Sequence, residues 1–234
     1  MQRFKPSAAF ALVVANMIGT GVFTSLGFQL LDIQSGFALL LLWIIGGVIA
    51  LCGAVTYAEL AARFPRSGGE YNFIGRTLHP SLGFISGWIS ATVGYAAPTA
   101  LAAMTFGIYF SSAIPLFNST YLASTLVVIL TASHCISVGS SGSLQSYLTL
   151  LKIVLIIVFC AIVWLSMERI QPIRFTPQFD DLKLITTSAF AVSLIYVNYA
   201  YTGWNAATYL IDELENPSKY LSKVLVLGTL FVTL

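Results

Sequence analysis

Two clusters of glycine and polar residues lie in the middle of long apolar stretches of this sequence. The run Gly-Thr-Gly at 19–21 interrupts the stretch 9–31, and the run Asn-Tyr-Ala-Tyr-Thr-Gly-Trp-Asn at 198–205 interrupts the stretch 186–211. Glycine lowers the cost of leaving helical geometry, and an unwound turn leaves amide donors and carbonyl acceptors without helical partners. A polar ligand can supply those partners. The alternative for the first cluster is that its glycines only let another helix approach closely.

The second cluster favours a ligand site over close helix packing. Aromatic residues of membrane helices usually gather at the two interfaces, whereas Tyr199, Tyr201 and Trp204 lie in mid-stretch. Transporters built on inverted repeats bind substrate at the midplane between two discontinuous helices, where half-helix N-termini face anionic groups and unwound carbonyls face cations. The interrupted stretches are the first and sixth in the chain, as the first members of two five-helix repeats would be. The sequence therefore predicts a midplane site between them.

Lys152 lies near the middle of a third apolar stretch, 144–167. A charged side chain at that depth costs roughly 2.5–3.5 kcal/mol on insertion scales, so something must compensate its charge or depend on it. Burial disfavours the charged form of lysine, which would allow a proton-coupled cycle. The alternative is a permanently protonated strut between helices.

The composition places the chain in a membrane. Charged residues make up 9% of the 234 residues, hydrophobic residues make up 57%, and the mean hydropathy is +0.86. Soluble domains carry about 25% charged residues, and a spanning helix needs about 20 mostly apolar ones. We predict a single all-α membrane domain over 1–234, with short loops between spans. The predicted spans are 9–31, 37–61, 83–113, 121–138, 144–167 and 186–211, with a seventh at 220–234.

The positions of lysine and arginine predict the orientation of these spans. With a cytoplasmic N-terminus, seven basic residues fall in cytoplasmic segments and three in outer ones. We therefore predict a multi-pass protein of the plasma (inner) membrane whose N-terminus is cytoplasmic. The seven are Arg3, Lys5, Arg63, Arg66, Arg76, Lys219 and Lys223, and the three are Arg169, Arg174 and Lys183.

Two features concern the path to the site. Glu59 and Arg63 stand four residues apart at the end of the second stretch, which predicts a helical ion pair. Pro98 predicts a kink in the third predicted span, beside residues at 94, 95 and 97 that would line the cavity.

Four ordered motifs resemble those of amino acid permeases of the amino acid–polyamine–organocation superfamily. The run Asn-Met-Ile-Gly-Thr-Gly-Val-Phe at 16–23 is similar to their first-helix signature, and Tyr-Ala-Tyr-Thr-Gly-Trp-Asn at 199–205 is similar to their sixth helix. The runs Pro-Arg-Ser-Gly-Gly-Glu-Tyr at 65–71 and Glu-Leu-Glu-Asn-Pro at 213–217 resemble the segments after helices two and six. The L-type amino acid transporters and their bacterial relatives are the most similar branch.

The resemblance implies a fold of two inverted five-helix repeats (LeuT-like), with helices one and six interrupted. This sequence would hold the first repeat, helix six and the start of helix seven. Because a ten-helix core needs the helices that follow, the alternative is a non-transporting truncated fragment or half-protein that requires a complementary C-terminal part.

The resemblance also implies how a substrate would bind. The amides of Thr20 and Gly21, with the Thr20 hydroxyl, would hold the carboxylate of an amino acid. The carbonyl of Met17 and carbonyls around Tyr199 and Thr202 would receive its ammonium group. Many relatives carry Gly, Ser or Asp where this sequence has Thr202, so the amine contact and the pocket size differ at that position.

Further roles follow from the same resemblance. The segment 63–82 would lie along the cytoplasmic face and help to gate the inner path. Tyr199 would close over the substrate from outside, and Trp204 and Asn205 would brace the unwound segment. A lysine at the corresponding part of helix five occupies the place where sodium-coupled relatives bind sodium, which argues against sodium coupling at Lys152. The expected substrate-binding residues are Met17, Gly19, Thr20, Gly21, Tyr199, Thr202, Gly203, Trp204 and Asn205, with Lys152 as the coupling residue.

We therefore expect secondary active transport of neutral amino acids by alternating access, through sodium-independent exchange or proton symport. A membrane enzyme is not expected, because no stretch shows a metal-ligand cluster, a nucleophile elbow or a phosphate loop. The expected partners are an amino acid substrate, protons in a symport cycle and the lipid bilayer. No cofactor, metal ion or nucleic acid is expected, and the sequence does not reveal whether a single-span accessory subunit accompanies the chain.

Overall fold

The computed structural model describes residues 3–135, 138–166 and 173–234, without the side chains of Thr20, Phe23, Thr24 and residues 138–141. These residues form an all-helical structure, in which extended backbone pairs only at an isolated bridge between Phe4 and Leu214. The helices are α1 (Pro6–Met17), α2 (Thr20–Asp32), α3 (Gly36–Arg63), α4 (Glu70–Thr77), α5 (Pro80–Ile89), α6 (Ala97–Ala113), α7 (Ser119–His134), α8 (Val138–Ser166), α9 (Phe179–Ile185), α10 (Ser188–Ala200) and α11 (Pro217–Thr233).

Three helices of the described chain are long and apolar enough to cross a membrane without interruption: Gly36–Arg63, Pro80–Ala113 and Gly142–Ser166. A fourth span results if α9 and α10, which meet at 69°, are counted together. The other predicted spans are shorter or broken helices, so their crossing of the bilayer stays a prediction. Arg169, which contributed to the predicted orientation, lies outside the described residues.

Helix one is interrupted earlier than its glycines indicated. α1 ends at Met17 and α2 begins at Thr20, with Gly19 extended at φ −109° and ψ −166°. The break therefore lies at 18–19, and the predicted break at 19–21 is wrong in register. Because the first amides of a helix have no carbonyl partner within it, this register leaves the amides of Thr20 and Gly21 at a helix N-terminus.

The sixth predicted span, called helix six below, begins with α10 and is interrupted after Ala200, at the predicted cluster. Residues 201–205 form turns, and the chain continues as a 3₁₀ helix over Ala206–Glu213. Gly203 has φ +109°, in the left-handed region that favours glycine. The predicted interruption of the stretch 186–211 therefore lies at 201–205.

The third predicted span, formed by α5 and α6, is helical without a gap from Pro80 to Ala113. It widens into a π-helical segment at Ser90–Ala96. Proline has no amide hydrogen, and its ring clashes with the carbonyl four residues before it. The wider segment directly before Pro98 removes that clash, and π-helical turns are frequent at functional sites. The predicted irregularity at Pro98 is therefore a change of helix type.

α3 presents small residues to its neighbours and so sets the position of the sixth helix. A methyl group built on Gly53 would lie 2.6 Å from Trp204 Cζ2, and Gly47 contacts Thr233 of α11. Small residues allow close helix approach in membranes, where apolar burial gives little driving force. The buried alanines of this face are Ala50, Ala54, Ala58 and Ala61.

Candidate functional site

Both interruptions open into one cavity with a volume of about 810 Å³. The end of α1 and the start of α2 form one wall, and the turns at 199–205 form another. The π-helical segment, α6 and α8 complete it, and Glu70 of α4 lines it from the loop side. The lining residues that carry the argument are Met17, Ile18, Gly19, Gly21, Glu70, Tyr95, Lys152, Tyr199, Thr202, Gly203, Trp204, Asn205 and Tyr209.

The structure brings together the site residues expected from the sequence. The cavity is lined by nine of the expected residues: Met17, Gly19, Gly21, Lys152, Tyr199, Thr202, Gly203, Trp204 and Asn205. The tenth, Thr20, has a hydroxyl that lies outside the described side chains. Gly94, Tyr95 and Pro98 line it too, whereas Ala97 does not. The roles assigned to these residues stay predictions, because no substrate contact has been observed.

The two glycines of the first break have different surroundings. A methyl group on Gly21 would lie 3.1 Å from Ala200 Cα, so this glycine allows α2 and α10 to approach closely. The same group on Gly19 would meet only the Asn16 carbonyl oxygen at an ordinary 3.7 Å. Close packing thus explains, at least in part, why residue 21 is a glycine. Gly19 lies in the extended backbone of the break, and no close neighbour requires a glycine there.

Lys152 joins α8, the fifth of the predicted spans, to the break between α1 and α2. Its Nζ donates to the carbonyl oxygens of Ala15 at 3.0 Å and Ile18 at 2.7 Å. The interruption of the helix frees these acceptors, because no amide of a continuous helix occupies them. The ion pairs of the described residues do not include Lys152, so carbonyl dipoles stabilise its ammonium there.

On the helix-six side, the Tyr199 carbonyl is already occupied. It accepts from the Thr202 hydroxyl at 2.6 Å and from the Thr202 N–H at 3.1 Å. A carbonyl oxygen has two lone pairs, so an ammonium group would have to compete for this acceptor. The threonine that distinguishes this sequence thus acts on its own backbone. The Tyr199 ring is 50% exposed and lies 3.5 Å from the methyl position of Gly21.

Trp204 and Asn205 fasten the unwound segment to its surroundings. The Trp204 and Tyr57 rings meet edge to face, with centroids 4.8 Å apart and planes at 84°. The Asn205 side-chain amide donates to Glu70 Oε1 at 2.5 Å, and its backbone carbonyl accepts from the Thr208 hydroxyl at 2.7 Å. These contacts support the bracing role that the resemblance implies.

Glu70 is a charged cavity residue that the sequence did not identify as part of the site. It lies in the loop motif after helix two, and its contacts with helix six span 135 and 139 residues of sequence. The available signal was an acidic residue directly after Gly68-Gly69 in a chain with only 9% charged residues.

The predicted ion pair near this loop is confirmed. Arg63 Nη2 lies 2.9 Å from Glu59 Oε1, and the two side chains are 70% and 63% exposed. The pair is on the surface, where such pairs contribute little to stability.

The fold and the site together define a class, the multi-pass membrane proteins whose first and sixth helices are broken at a shared cavity. Within that class the chain belongs to the Amino acid permease family, whose sequence profile matches residues 4–234. Amino acid transport is therefore the activity of its family. The predicted kinship with amino acid permeases and L-type transporters is confirmed.

Individual relatives agree with the family. The b(0,+)-type amino acid transporter 1 of Mus musculus is 28% identical over 236 residues, which cover 97% of this chain and 47% of that protein. The Large neutral amino acids transporter small subunit 2 is 30% identical over 237 residues in both Mus musculus and Homo sapiens, covering 97% of this chain and 44% of those proteins. The chain thus spans about half the length of these relatives.

Proposed function

We propose that the protein carries neutral amino acids across the membrane by alternating access, through sodium-independent exchange or proton symport. The observation that carries this proposal is that the two helix interruptions share one cavity. Unwound backbone in a dry site offers donors and acceptors without a second net charge, which suits a zwitterion. The proposal concerns the complete polypeptide.

The first break would bind the substrate carboxylate. The amides of Thr20 and Gly21 belong to the first turn of α2, and the helix dipole places partial positive charge there. The cavity lining of the described residues includes no arginine, so a carboxylate would depend on these backbone donors. The corrected register of the break supports this role better than an unwound Gly21 would.

The ammonium group would bind carbonyls at the ends of the broken helices. The Met17 carbonyl ends α1 and stays the preferred acceptor, because Lys152 occupies the neighbouring Ala15 and Ile18 carbonyls. On helix six, the Thr202 carbonyl is favoured over that of Tyr199, which two Thr202 donors already contact.

The remaining parts of the proposal concern architecture. We propose two inverted five-helix repeats and a cytoplasmic N-terminus in the plasma (inner) membrane. The seven basic residues in the predicted cytoplasmic segments, against three in the outer ones, support this orientation. One relative is named as a small subunit, which supports a search for an accessory single-span partner in detergent extracts.

Uptake by vesicles containing the complete polypeptide tests the proposal. A panel of labelled neutral, cationic and acidic amino acids would be offered with and without sodium, a proton gradient, and unlabelled amino acid inside. We expect uptake of neutral amino acids that sodium does not change. Stimulation by internal amino acid indicates exchange, and stimulation by the proton gradient indicates symport. Uptake of none of the panel under any condition would refute the proposal.

A further inference from the structure

The loop between α3 and α4 is fastened to the second half of the interrupted sixth helix. The Ser67 N–H donates to Asp212 Oδ2 at 3.1 Å, and the Asp212 N–H donates in return to Ser67 Oγ at 2.9 Å. The Gly69 N–H also donates to the Thr208 carbonyl at 3.4 Å. Two segments about 140 residues apart in sequence are therefore paired on the side of the membrane that carries this loop.

The Glu70 carboxylate lies between this pairing and the cavity. Its Oε1 accepts from the Tyr57 hydroxyl at 2.9 Å and from the Asn205 amide at 2.5 Å. Its Oε2 accepts from the Tyr209 hydroxyl. The three donors belong to α3, the unwound turn and the 3₁₀ segment. One carboxylate thus connects three parts of the fold at one end of the cavity.

The bonds to Glu70 are charge-assisted, as is the bond from the Ser67 N–H to the Asp212 carboxylate. Hydrogen bonds to an ionised acceptor are roughly twice as strong as those between neutral groups. The ion pairs of the described residues do not include Glu70, so its negative charge is stabilised there by neutral donors. Separation of the loop from helix six would leave this carboxylate without two of its three donors, Asn205 and Tyr209.

We propose that Glu70 is a positioning residue for transport, which holds Asn205 and Tyr209 and thereby closes the cavity toward the loop side. This inference rests on the proposed function. Opening to that side requires Glu70 to release Asn205 and Tyr209. The strength of these bonds therefore sets the population of the loop-side-open state, because a two-state equilibrium shifts with the difference in interaction free energy between its states.

Cysteine labelling tests this inference without any substrate. In the complete polypeptide, Cys52, Cys135, Cys160 and any cysteine outside residues 1–234 would be replaced, and Thr99→Cys would report on the cavity wall. The Thr99 hydroxyl bonds only within its own helix, to the Tyr95 carbonyl at 2.8 Å, so this change breaks no contact between helices. A membrane-impermeant methanethiosulfonate would be applied separately to each face of sealed vesicles.

Glu70→Gln keeps the shape of the side chain and removes its charge. We expect labelling from the loop side to become about tenfold faster, which corresponds to about 1.4 kcal/mol. The matched control is Glu59→Gln, which removes an exposed carboxylate of the same region and should leave the rate unchanged. If Glu70→Gln does not fold, Asn205→Ala and Tyr209→Phe each remove one donor and should accelerate labelling by a smaller factor.

A purely structural role predicts a different pattern. In that case Glu70→Gln lowers the thermal stability and leaves the labelling rate equal to that of Glu59→Gln, which overturns the inference. Acceleration from the opposite face, or equally from both faces, also overturns it. Because labelling uses no amino acid, a protein that fails every uptake assay refutes the proposed function while the labelling comparison still tests Glu70.

Discussion

Gly203 lies directly against Asn16, so the two helix interruptions are in contact with each other. A methyl group built on Gly203 would lie 2.6 Å from Asn16 Cβ and 2.8 Å from the Asn16 carbonyl carbon. Asn16 belongs to the last turn of α1, where its side-chain amide donates to the Leu12 carbonyl at 2.9 Å. The packing of one break therefore depends on the absence of a side chain at the other.

Gly203→Ala should destabilise the protein by about 1–3 kcal/mol, because alanine resists positive φ and its methyl group would collide with Asn16. The matched control is Gly27→Ala, since Gly27 is helical and a methyl group there meets nothing within 4 Å. Thermal unfolding of both variants in detergent is the measurement. Equal stability of the two variants would contradict a stabilising contact between the two breaks.

The first break offers a comparison between two glycines. Gly21→Val should abolish amino acid binding. Its Cβ would already lie 3.1 Å from Ala200 Cα, so the branched side chain would push α2 away from α10. Overpacking of this kind costs about 1–3 kcal/mol. Gly19→Ala has ordinary space and should keep at least part of the binding. Equilibrium binding of a labelled neutral amino acid to the purified complete polypeptide checks both, and unchanged affinity in Gly21→Val contradicts the assignment.

The sequence predicted both breaks, and it placed the second correctly but not the first. Glycine and polar residues in mid-stretch indicate that a helix is weak there, yet they do not determine which peptide leaves helical geometry. Packing decides that: Lys152 occupies the Ala15 and Ile18 carbonyls, and the helix resumes at Thr20. The family resemblance identified nine of the 22 residues that line the cavity, because its motifs are local runs of residues.

Glu70 could not be assigned in the same way. Its partners Asn205 and Tyr209 come from a segment that becomes a 3₁₀ helix after the break, and a continuous helix would have turned their side chains differently. Sequence periodicity does not distinguish the two helix types. The pairing of the loop with helix six is a tertiary contact without a local signal.

Asp181 stabilises the segment that leads into helix six, in a way that depends on pH. A hydrogen bond from the Ser35 hydroxyl, the bond from the Gln178 N–H at 2.8 Å and the nearby Arg174 hold the pKa of Asp181 below its usual range. A lowered pKa in the folded state means that the ionised carboxylate stabilises the fold above the ordinary carboxyl pKa. That stabilisation is lost as the pH falls through the lowered value. Asp181→Asn should therefore reduce the unfolding temperature near neutral pH and have a smaller effect in acid.

The neighbouring Asp180 provides the control for this measurement. Its side chain is 83% exposed and lies 3.7 Å from Lys183, whereas Asp181 is only 3% exposed. Asp180→Asn should change the unfolding temperature little at any pH, because exposed ion pairs contribute little. Parallel curves for the two variants across the pH range would contradict the assignment of the stabilising carboxylate to Asp181.

The last prediction concerns coupling at Lys152. Its ammonium spans α8 and the broken end of α1 through the Ala15 and Ile18 carbonyls, so its protonation favours the arrangement in which these helices are joined. If the proton leaves during each cycle, uptake will depend on pH, and Lys152→Ala will remove that dependence while sparing some exchange. If Lys152 is a permanently protonated strut, the same change will weaken transport at every pH alike. Both versions predict indifference to sodium, since the ammonium supplies the positive charge at this position.

Uptake by vesicles containing the parent protein and Lys152→Ala, measured across a pH series with and without sodium, distinguishes them. Thr149→Val is the matched control. The Thr149 hydroxyl lies one turn away on α8, donates to the Gln145 carbonyl of its own helix at 2.7 Å and lies 3.3 Å from the Ala11 carbonyl of α1. Its removal therefore perturbs the same helix contact without removing a titratable group. Sodium-stimulated uptake together with normal activity of Lys152→Ala would refute both versions.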